Sequence, residues 1–248
     1  MKYLLPAILV VFFYGCLPIK KEDEKTNGKT KTEKDGVRKT HYPSGQLRSE
    51  VPIRNGKKNG LAKDFYSDGT PHFEINYVDN LKQGITRMYY QNGKLYEETP
   101  YEKDKVHGVK KRYRQDGKLF AEAPYQSDEP CMGLKEYLTD GSSKTKYPNI
   151  VVTPIDNILR DDRYILRLSM SDKTKNVTFY TGDLNDGCIN SSLEQVYETP
   201  DKGVSEISIY LPQGTFLMEE INIVAKVKTA LGNYYITRRK YNVAIENR

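Results

Sequence analysis

Two sets of glycines with a 24-residue period constrain this chain more than any other feature. The first set comprises Gly45, Gly69, Gly93, Gly117 and Gly141. The second set comprises Gly36, Gly60, Gly84 and Gly108, followed one residue late by Gly133. A constant period of this length is typical of stacked supersecondary units, because each unit is too small to bury its apolar side chains alone.

The residues around the first glycine set predict β-hairpins. Ser, Asp or Asn precedes each of these glycines, and stretches of alternating character flank it. Asn-Gly and Asp-Gly favour two-residue type I′ turns, in which both central residues need positive φ. Each period therefore predicts a strand, a tight turn, a second strand and a looser turn.

Charged residues recur at the same period and predict the register of the hairpins. If Asp68-Gly69 forms a two-residue turn, Lys63 lies directly opposite Glu74. The same count pairs Lys39 with Glu50, Arg87 with Glu98, and Lys111 with Glu122. Such repeated pairs indicate a single register along the array, and they align the strands more than they stabilise them.

Two further columns of residues suit a partly exposed sheet. One column comprises His41, Phe65, Tyr89, Tyr113 and Tyr137, and the other comprises Ile53, Tyr77, Tyr101 and Tyr125. The chain has 20 Tyr and no Trp, and tyrosine suits half-exposed sheet faces because its ring is apolar and its hydroxyl polar. A single hairpin is marginal in water, so stacked hairpins are expected to bury these side chains against one another.

The repeated unit resembles the MORN-repeat family in its short bacterial variant. The resemblance covers residues 36–148 and is carried by the strings GLAKDFYSDGTPHFEINY, GITRMYYQNGKLYEETPY and GVKKRYRQDGKLFAEAPY. The chain departs from the pattern at Pro71, where Leu is usual, and at Arg114 and Leu138, where a second aromatic is usual. The resemblance implies an interaction scaffold for proteins or membrane lipids and carries over no catalytic residue. Many bacterial members are labelled antitoxin-like.

Residues 149–248 lack the period and predict a second all-β domain. Apolar alternation predicts strands at 150–153, 164–170, 177–180, 207–211, 221–227 and 234–245, with Leu231-Gly232-Asn233 as the last hairpin turn. Strands in this number and spacing favour an immunoglobulin-like β-sandwich. The predicted fold is therefore all-β, an elongated antiparallel sheet of hairpin repeats followed by that sandwich.

The first residues predict export and a lipid anchor. Lys2 precedes the apolar stretch from Tyr3 to Tyr14, which has the length of a signal-peptide core and is too short to span a membrane. Gly15-Cys16 resembles the bacterial lipobox, so residues 1–15 are interpreted as a signal peptide and Cys16 as the lipidated residue. The alternative is an ordinary cleaved secretory signal with an unmodified cysteine.

Residues 16–35 are interpreted as a flexible tether, because they are rich in Lys, Glu, Thr and Asp without apolar periodicity. Leu17 occupies the position where an Asp would resemble an inner-membrane retention signal. The predicted location is therefore the cell envelope, lipid-anchored at the outer membrane. The run from Lys20 to Glu24 resembles surface-export signals, and it equally suits a solvated linker.

Charge and export together restrict the partners. The formal net charge is +6, but Lys and Glu are interspersed, and an exported chain does not meet nucleic acid. The predicted partners are the membrane, through the lipid anchor, and an envelope protein or glycan. No cofactor and no nucleic-acid partner are predicted.

The sequence carries no recognisable catalytic or metal-binding motif. His41, His72 and His107 occupy different columns of the repeat and lack metal-ligand spacing. Cys131 and Cys188 remain once Cys16 is set aside, and an oxidising envelope permits either a disulfide or two separate thiols. A disulfide would tie the last repeat to the sandwich.

The candidate binding surface is a set of tyrosines with basic neighbours, since Tyr and Arg are common anchors of protein interfaces. The set comprises Tyr66, Tyr89, Tyr90, Tyr96, Tyr101, Tyr113 and Tyr125. The same residues could equally form the packing columns of a stacked sheet.

The predicted function is that of a cell-envelope binding or scaffold module rather than an enzyme. One alternative is an antitoxin or immunity protein, which rests on family labels alone. The other is an enzyme of cell-wall or glycan metabolism, which requires paired buried carboxylates in a concave pocket.

Overall fold

The computed structural model describes residues 35–248. The predicted signal peptide, Cys16 and all of the tether except Asp35 lie outside the described residues. Within 35–248 the chain forms 20 strands and one four-residue helix, so the prediction of an all-β fold is confirmed.

The repeats form one antiparallel sheet of 13 strands. The strands are β1 (Gly36–His41), β2 (Leu47–Arg54), β3 (Lys57–Lys58), β4 (Gly60–Phe65), β5 (Pro71–Val78), β6 (Leu81–Lys82), β7 (Gly84–Tyr89), β8 (Leu95–Glu102), β9 (Lys105–Val106), β10 (Gly108–Tyr113), β11 (Leu119–Gln126), β12 (Glu129–Pro130) and β13 (Lys135–Glu136). The main path is β1-β2-β4-β5-β7-β8-β10-β11-β12, with β3, β6, β9 and β13 paired beside it. This meander is the elongated sheet that the repeat predicts.

The predicted register of the charged pairs is confirmed. The register places Lys63 opposite Glu74, Lys39 opposite Glu50, Arg87 opposite Glu98, and Lys111 opposite Glu122. The nitrogen–oxygen distances range from 2.7 Å for Lys39–Glu50 to 3.9 Å for Lys111–Glu122. Because the basic side chains are about half exposed, each pair adds little to the free energy of unfolding.

The turn beside each pair differs from the predicted type I′ turn. Gly69 has a φ of 86°, whereas Asp68 keeps a negative φ. The Tyr66 amide donates to the Thr70 carbonyl at 2.8 Å, and the Gly69 amide donates to the Tyr66 carbonyl at 2.9 Å. Residues 67–69 thus form a three-residue loop that ends in a left-handed glycine. The Asp68 carboxylate accepts the Thr70 amide at 2.9 Å, which favours this loop over the shorter one.

A β-bulge compensates for the extra residue in the loop. Phe65 pairs with Pro71, but Asp64 pairs with Phe73, so His72 has no partner across the hairpin. The longer loop moves the register by one residue, and the bulge moves it back. The same shift in the other hairpins leaves out Arg48, Tyr96 and Phe120. The predicted charged pairs are therefore confirmed, although the predicted turn type is wrong.

Turns with positive φ at both central residues lie at the opposite ends of the hairpins. They are Asn55-Gly56, Asp79-Asn80, Lys103-Asp104 and Ser127-Asp128. Three of their side chains accept a backbone amide of the two-residue strand that follows the preceding turn, as Asn80 does from Lys58 at 2.8 Å and Asp104 from Lys82 at 2.7 Å. The corners that the sequence predicts to be looser are thus two-residue turns of type I′ geometry, and they join adjacent hairpins.

Residues 150–247 form two facing sheets. The elements are β14 (Ile150–Asn157), α1 (Ile158–Asp161), β15 (Arg163–Met170), β16 (Val177–Thr181), β17 (Glu194–Val196), β18 (Ser205–Tyr210), β19 (Thr215–Lys228) and β20 (Tyr234–Asn247). One sheet has the order β14-β15-β18 and the other β17-β16-β19-β20. Leu166 and Leu168 of the first sheet share a core with Phe179, Ile223 and Ala225 of the second. This arrangement is the predicted immunoglobulin-like sandwich.

Two parts of the sandwich differ from the sequence analysis. Strand β17 and the first half of β19 carry mostly exposed residues, so no apolar alternation marks them. In the second half of β19, Val224 is 1% exposed although it points away from the main core. It packs with Ile189 and Ile236 in a smaller second core, so both faces of this strand are buried.

Candidate binding surfaces of the repeat array

Tyrosine hydroxyls join each hairpin to the next. Tyr42 donates to the carbonyl of Phe65 at 2.7 Å, and 24 residues later Tyr66 donates to the carbonyl of Tyr89 at 2.8 Å. Tyr90 continues the series. In the next hairpin Arg114 donates its guanidinium to the carbonyl of Tyr137 at 2.6 Å. Arg114 therefore makes the same contact as the tyrosine that it replaces in the repeat.

A second series connects tyrosines with the glutamates of the charged pairs. The hydroxyls of Tyr89, Tyr113 and Tyr137 donate to Glu74, Glu98 and Glu122 at 2.9, 2.9 and 2.7 Å. Burial, the hydrogen bond to Glu98 and the negative charge of Glu98 together raise the pKa of Tyr113 to about 12. The side of the sheet that carries these glutamates is named the glutamate face.

The structure does not bring the seven candidate tyrosines together on one surface. The glutamate face carries Tyr89 and Tyr113, and strand alternation places Tyr101 and Tyr125 on the other face. Near the three-residue loops lie Tyr66, Tyr90 and Tyr96, of which the last two have ring centroids 4.9 Å apart. All seven are half-buried, and at least four use their hydroxyls within the sheet.

A cleft of about 610 Å³ lies between the first two hairpins. Its lining combines hydroxyl, charged and aromatic side chains, which are Thr40, Tyr42, Arg48, Ser49, Asp64, Phe65, His72 and Phe73. The His72 ring lies between Tyr66 and Phe73, with centroids 4.2 and 4.1 Å away. The Arg48 guanidinium lies 5.8 Å from the centroid of the Tyr42 ring. The unpaired bulge residues Arg48 and His72 thus supply two walls of the cleft.

The cleft residues Thr40 and Ser49 occupy two repeat columns whose residues differ in size and charge from hairpin to hairpin. Thr40 and Ser49 face each other across the first hairpin, with their hydroxyl oxygens 2.7 Å apart. In the second hairpin Asp64 and Phe73 occupy these positions, and in the third Met88 and Glu97 occupy them. Sequence reasoning did not identify this site, and small size does not mark it, because Ala121 occupies the Ser49 column in the fourth hairpin.

The cleft is electrostatically mixed. Burial lowers the pKa of His72, and the nearby Asp64 carboxylate opposes this effect. His72 is therefore a largely neutral imidazole at pH 7, while Arg48 remains charged. Donors from Arg48, Thr40 and Ser49 and the acceptor Asp64 can together bind a ligand that carries hydroxyl or carboxylate groups. His41 and His107 do not line this cleft.

A disulfide between Cys131 and Cys188 connects the last repeat to the sandwich. Backbone hydrogen bonds flank it, from Met132 to Gly187 at 2.8 Å and from Ile189 to Pro130 at 3.1 Å. The two cysteines therefore lie in a short antiparallel pairing between the two parts of the chain.

A buried carboxylate lies beside this connection. Glu136 is 1% exposed, and it accepts hydrogen bonds from Thr229 at 2.6 Å, Asn233 at 2.8 Å and Lys144 at 3.0 Å. Burial alone raises the pKa of Glu136, but these three hydrogen bonds and the charge of Lys144 outweigh it, so the pKa is lowered. Arg112 also donates to Asn233. The network joins the repeats to the β19–β20 turn.

Residues 35–248 contain no cluster of three or more His, Cys, Asp or Glu side chains arranged to hold a metal ion. They also contain no helix with the length and apolar character needed to cross a bilayer.

Comparison with known families agrees with the repeat geometry. The family described as MORN repeat variant matches residues 34–55, 58–79, 82–103 and 106–127. The matched segments are 24 residues apart and contain four tandem hairpins, while the fifth unit lies outside them. No curated protein matches the chain.

Seven chains of solved structures match. One is the extracellular domain of a protein described as a one-component system from B. thetaiotaomicron, with 8% identity and a TM-score of 0.26. The match covers 85% of this chain and 31% of that chain, so this chain spans about a third of the length of that domain. At this TM-score the likeness does not establish a shared fold.

Proposed function

We propose that the protein is a binding and scaffold module of the cell envelope, held at the membrane by a lipid on Cys16. The cleft between the first two hairpins is its ligand site. The observation that carries this proposal is the convergence of Arg48, His72 and Asp64 with aromatic rings in one concavity. Concave sites lined by rings with a few polar groups are the usual form of small-ligand sites.

The chemistry of the cleft favours an acidic saccharide of the envelope. Sugar hydroxyls can exchange hydrogen bonds with Thr40, Ser49 and Asp64, and a sugar carboxylate can bind the Arg48 guanidinium in two-pronged fashion. The rings of Tyr42 and Phe73 provide apolar surface for the faces of the sugar. Glu136 lies outside this cleft, at the connection to the sandwich, and both of its carboxylate oxygens already accept hydrogen bonds.

The lipid anchor is tested by fractionation of the native cell envelope. The wild-type chain is expected in the membrane fraction and Cys16→Ser in the soluble fraction, because loss of the acyl chains removes the apolar anchor. Mass spectrometry of the wild-type N-terminal peptide should show the added acyl mass on Cys16. Membrane retention of the Cys16→Ser chain, or an unmodified Cys16, would refute the anchor.

The ligand site is tested by NMR titration of the histidines with purified acidic oligosaccharides of the envelope. Because a ligand carboxylate stabilises the imidazolium form, binding should raise the pKa of His72 and leave His41 and His107 unchanged. Arg48→Ala should abolish the shift, whereas Arg54→Ala, on the exposed end of β2, should preserve it. Equal responses of the three histidines, or an unchanged response in Arg48→Ala, would contradict the proposal.

A further inference from the structure

Strand β1 forms an open edge of the repeat sheet. Among residues 35–248, β1 pairs only with β2, and all six of its residues are exposed. The opposite end of the array is covered, since β11 pairs with both β12 and β13 and the disulfide attaches the sandwich there. Copies of the chain therefore cannot join head to tail through their sheets.

The hydrogen bonds of the second hairpin indicate which groups of β1 point outward. The Phe65 carbonyl accepts the hydroxyl of Tyr42, so it faces the preceding hairpin. Because backbone groups alternate along a strand, Lys63 faces the same way. The equivalent residues of β1 are His41 and Lys39, followed by Val37 at the next alternate position. These three residues direct their backbone groups to the open edge.

Each later boundary between hairpins shows what a strand beside β1 must supply. A glutamate lies opposite a basic residue in every case, as Glu50 does with Lys63 and Glu98 with Lys111. A side-chain donor of each hairpin also reaches the backbone carbonyl at the end of the next hairpin's first strand, as Tyr90 reaches the Tyr113 carbonyl at 2.9 Å. Beside β1, the corresponding groups are Lys39 and the His41 carbonyl.

We propose that β1 binds a turn-and-strand segment of a partner protein, whose strand pairs with β1 in antiparallel fashion. The strand carries a carboxylate opposite Lys39, and a Tyr or Arg just before the turn donates to the His41 carbonyl. A second copy of this chain is a poor partner, because β1 itself carries no acid and the adjacent Asp35 already accepts the Asn55 amide at 2.6 Å. This site uses the outer backbone edge of β1, whereas the saccharide cleft uses the Thr40 side chain of the same strand.

The probe for this site is a labelled peptide with the sequence of residues 90–102, YQNGKLYEETPYE. In its own position this segment places Glu98 opposite Lys111 and the Tyr90 hydroxyl on the Tyr113 carbonyl. On β1 the same groups would meet Lys39 and the His41 carbonyl. Fluorescence anisotropy with the full chain measures the affinity, and hydrogen exchange locates the contact through protection of the Val37 and Lys39 amides.

Two changes test the charge and the backbone separately. A peptide with Glu98→Lys should bind about two- to thirtyfold more weakly, and Lys39→Glu in the protein should restore its binding. Val37→Pro should abolish binding of the original peptide, because proline removes an outward amide while edge strands tolerate it. Circular dichroism of Lys39→Glu and Val37→Pro checks that each variant retains the fold.

Three results would overturn the proposal. The first is equal affinity for both peptides, or full binding by folded Val37→Pro. The second is a dimer of the wild-type chain in sedimentation that Val37→Pro dissociates, since a second copy would then occupy the edge. The third is peptide binding only after removal of residues 17–34, since the chain itself would then cover β1.

Discussion

At the scale of the residue, the polar ends of the tyrosines determine how the repeats hold together. The rings lie half-buried in a sheet with few fully buried side chains, whereas the hydroxyls cross from one hairpin to the next. A net hydrogen bond of this kind contributes about 0.5–1.5 kcal/mol. The repeat therefore preserves the donor rather than the ring, which explains why Arg114 can replace a tyrosine.

The contribution of the Tyr113 hydroxyl to the stability of the fold depends on pH. Its pKa of about 12 in the folded chain exceeds the ordinary value of 10.0, so the protonated hydroxyl stabilises the fold below pH 10. That contribution is lost as the pH rises from 10 through about 12. Urea denaturation should show Tyr113→Phe less stable than wild type by about 1 kcal/mol at pH 8, with a smaller difference at pH 11.

A matched control is Tyr210→Phe, because this tyrosine is 66% exposed. The free energy of unfolding of this variant should stay close to that of wild type at both values of pH. A Tyr113→Phe difference that grows between pH 8 and pH 11 would contradict the assigned hydrogen bond.

At the scale of the element, the period and the charge pattern were sufficient to predict the hairpins and their register. The register was predictable because Lys63 and Glu74 report the pairing of strands directly. The turn type was not, because Asp68 can either take positive φ itself or accept the Thr70 amide. Sequence statistics favour the first outcome, and the local hydrogen bond selects the second.

The Glu136 network and the cleft were beyond prediction for different reasons. Glu136 and Asn233 lie far apart in the chain and no periodic pattern relates them, whereas the Cys131–Cys188 disulfide was one of the two alternatives of the sequence analysis. The residues of the cleft lie at equivalent positions of adjacent hairpins, and only the structure shows that these positions enclose a concavity between the first two. In the sandwich, β17 was missed because its exposed polar residues carry no alternation.

Substitution of Glu136 tests how much its hydrogen-bond network stabilises the connection between the repeats and the sandwich. Glu136→Gln leaves Lys144 without its carboxylate partner beside a buried network, so the free energy of unfolding at pH 7 should fall by about 1–3 kcal/mol. Because the pKa of Glu136 is lowered in the fold, the stabilisation exists above its ordinary value of 4.5. It disappears as the pH falls through the lowered value.

The comparison is with Glu220→Gln, whose partner Lys240 is 64% exposed. Removal of this exposed pair should change the free energy by less than about 0.5 kcal/mol. Equal losses in the two variants at pH 7 would show that the Glu136 network does not stabilise the connection.

At the scale of the whole molecule, the disulfide and the Glu136 network make one body of the array and the sandwich. The double variant Cys131→Ser, Cys188→Ser opens a loop of 57 residues, so its free energy of unfolding should fall by about 2–4 kcal/mol. Chemical denaturation measures the loss, and wild type treated with reductant should match the variant. A variant as stable as the oxidised wild type would contradict this structural role.

Because the repeats form a meander, the length of the array can change independently of its attachment to the sandwich. A tandem duplication of one 24-residue segment would insert two strands and move the β1 end outward by about 10 Å. The attachment at the other end would be untouched, because Arg112, Cys131 and Glu136, which make it, lie in the β10–β11 hairpin or after it. The length of the array can therefore change by whole repeats without any change at the sandwich.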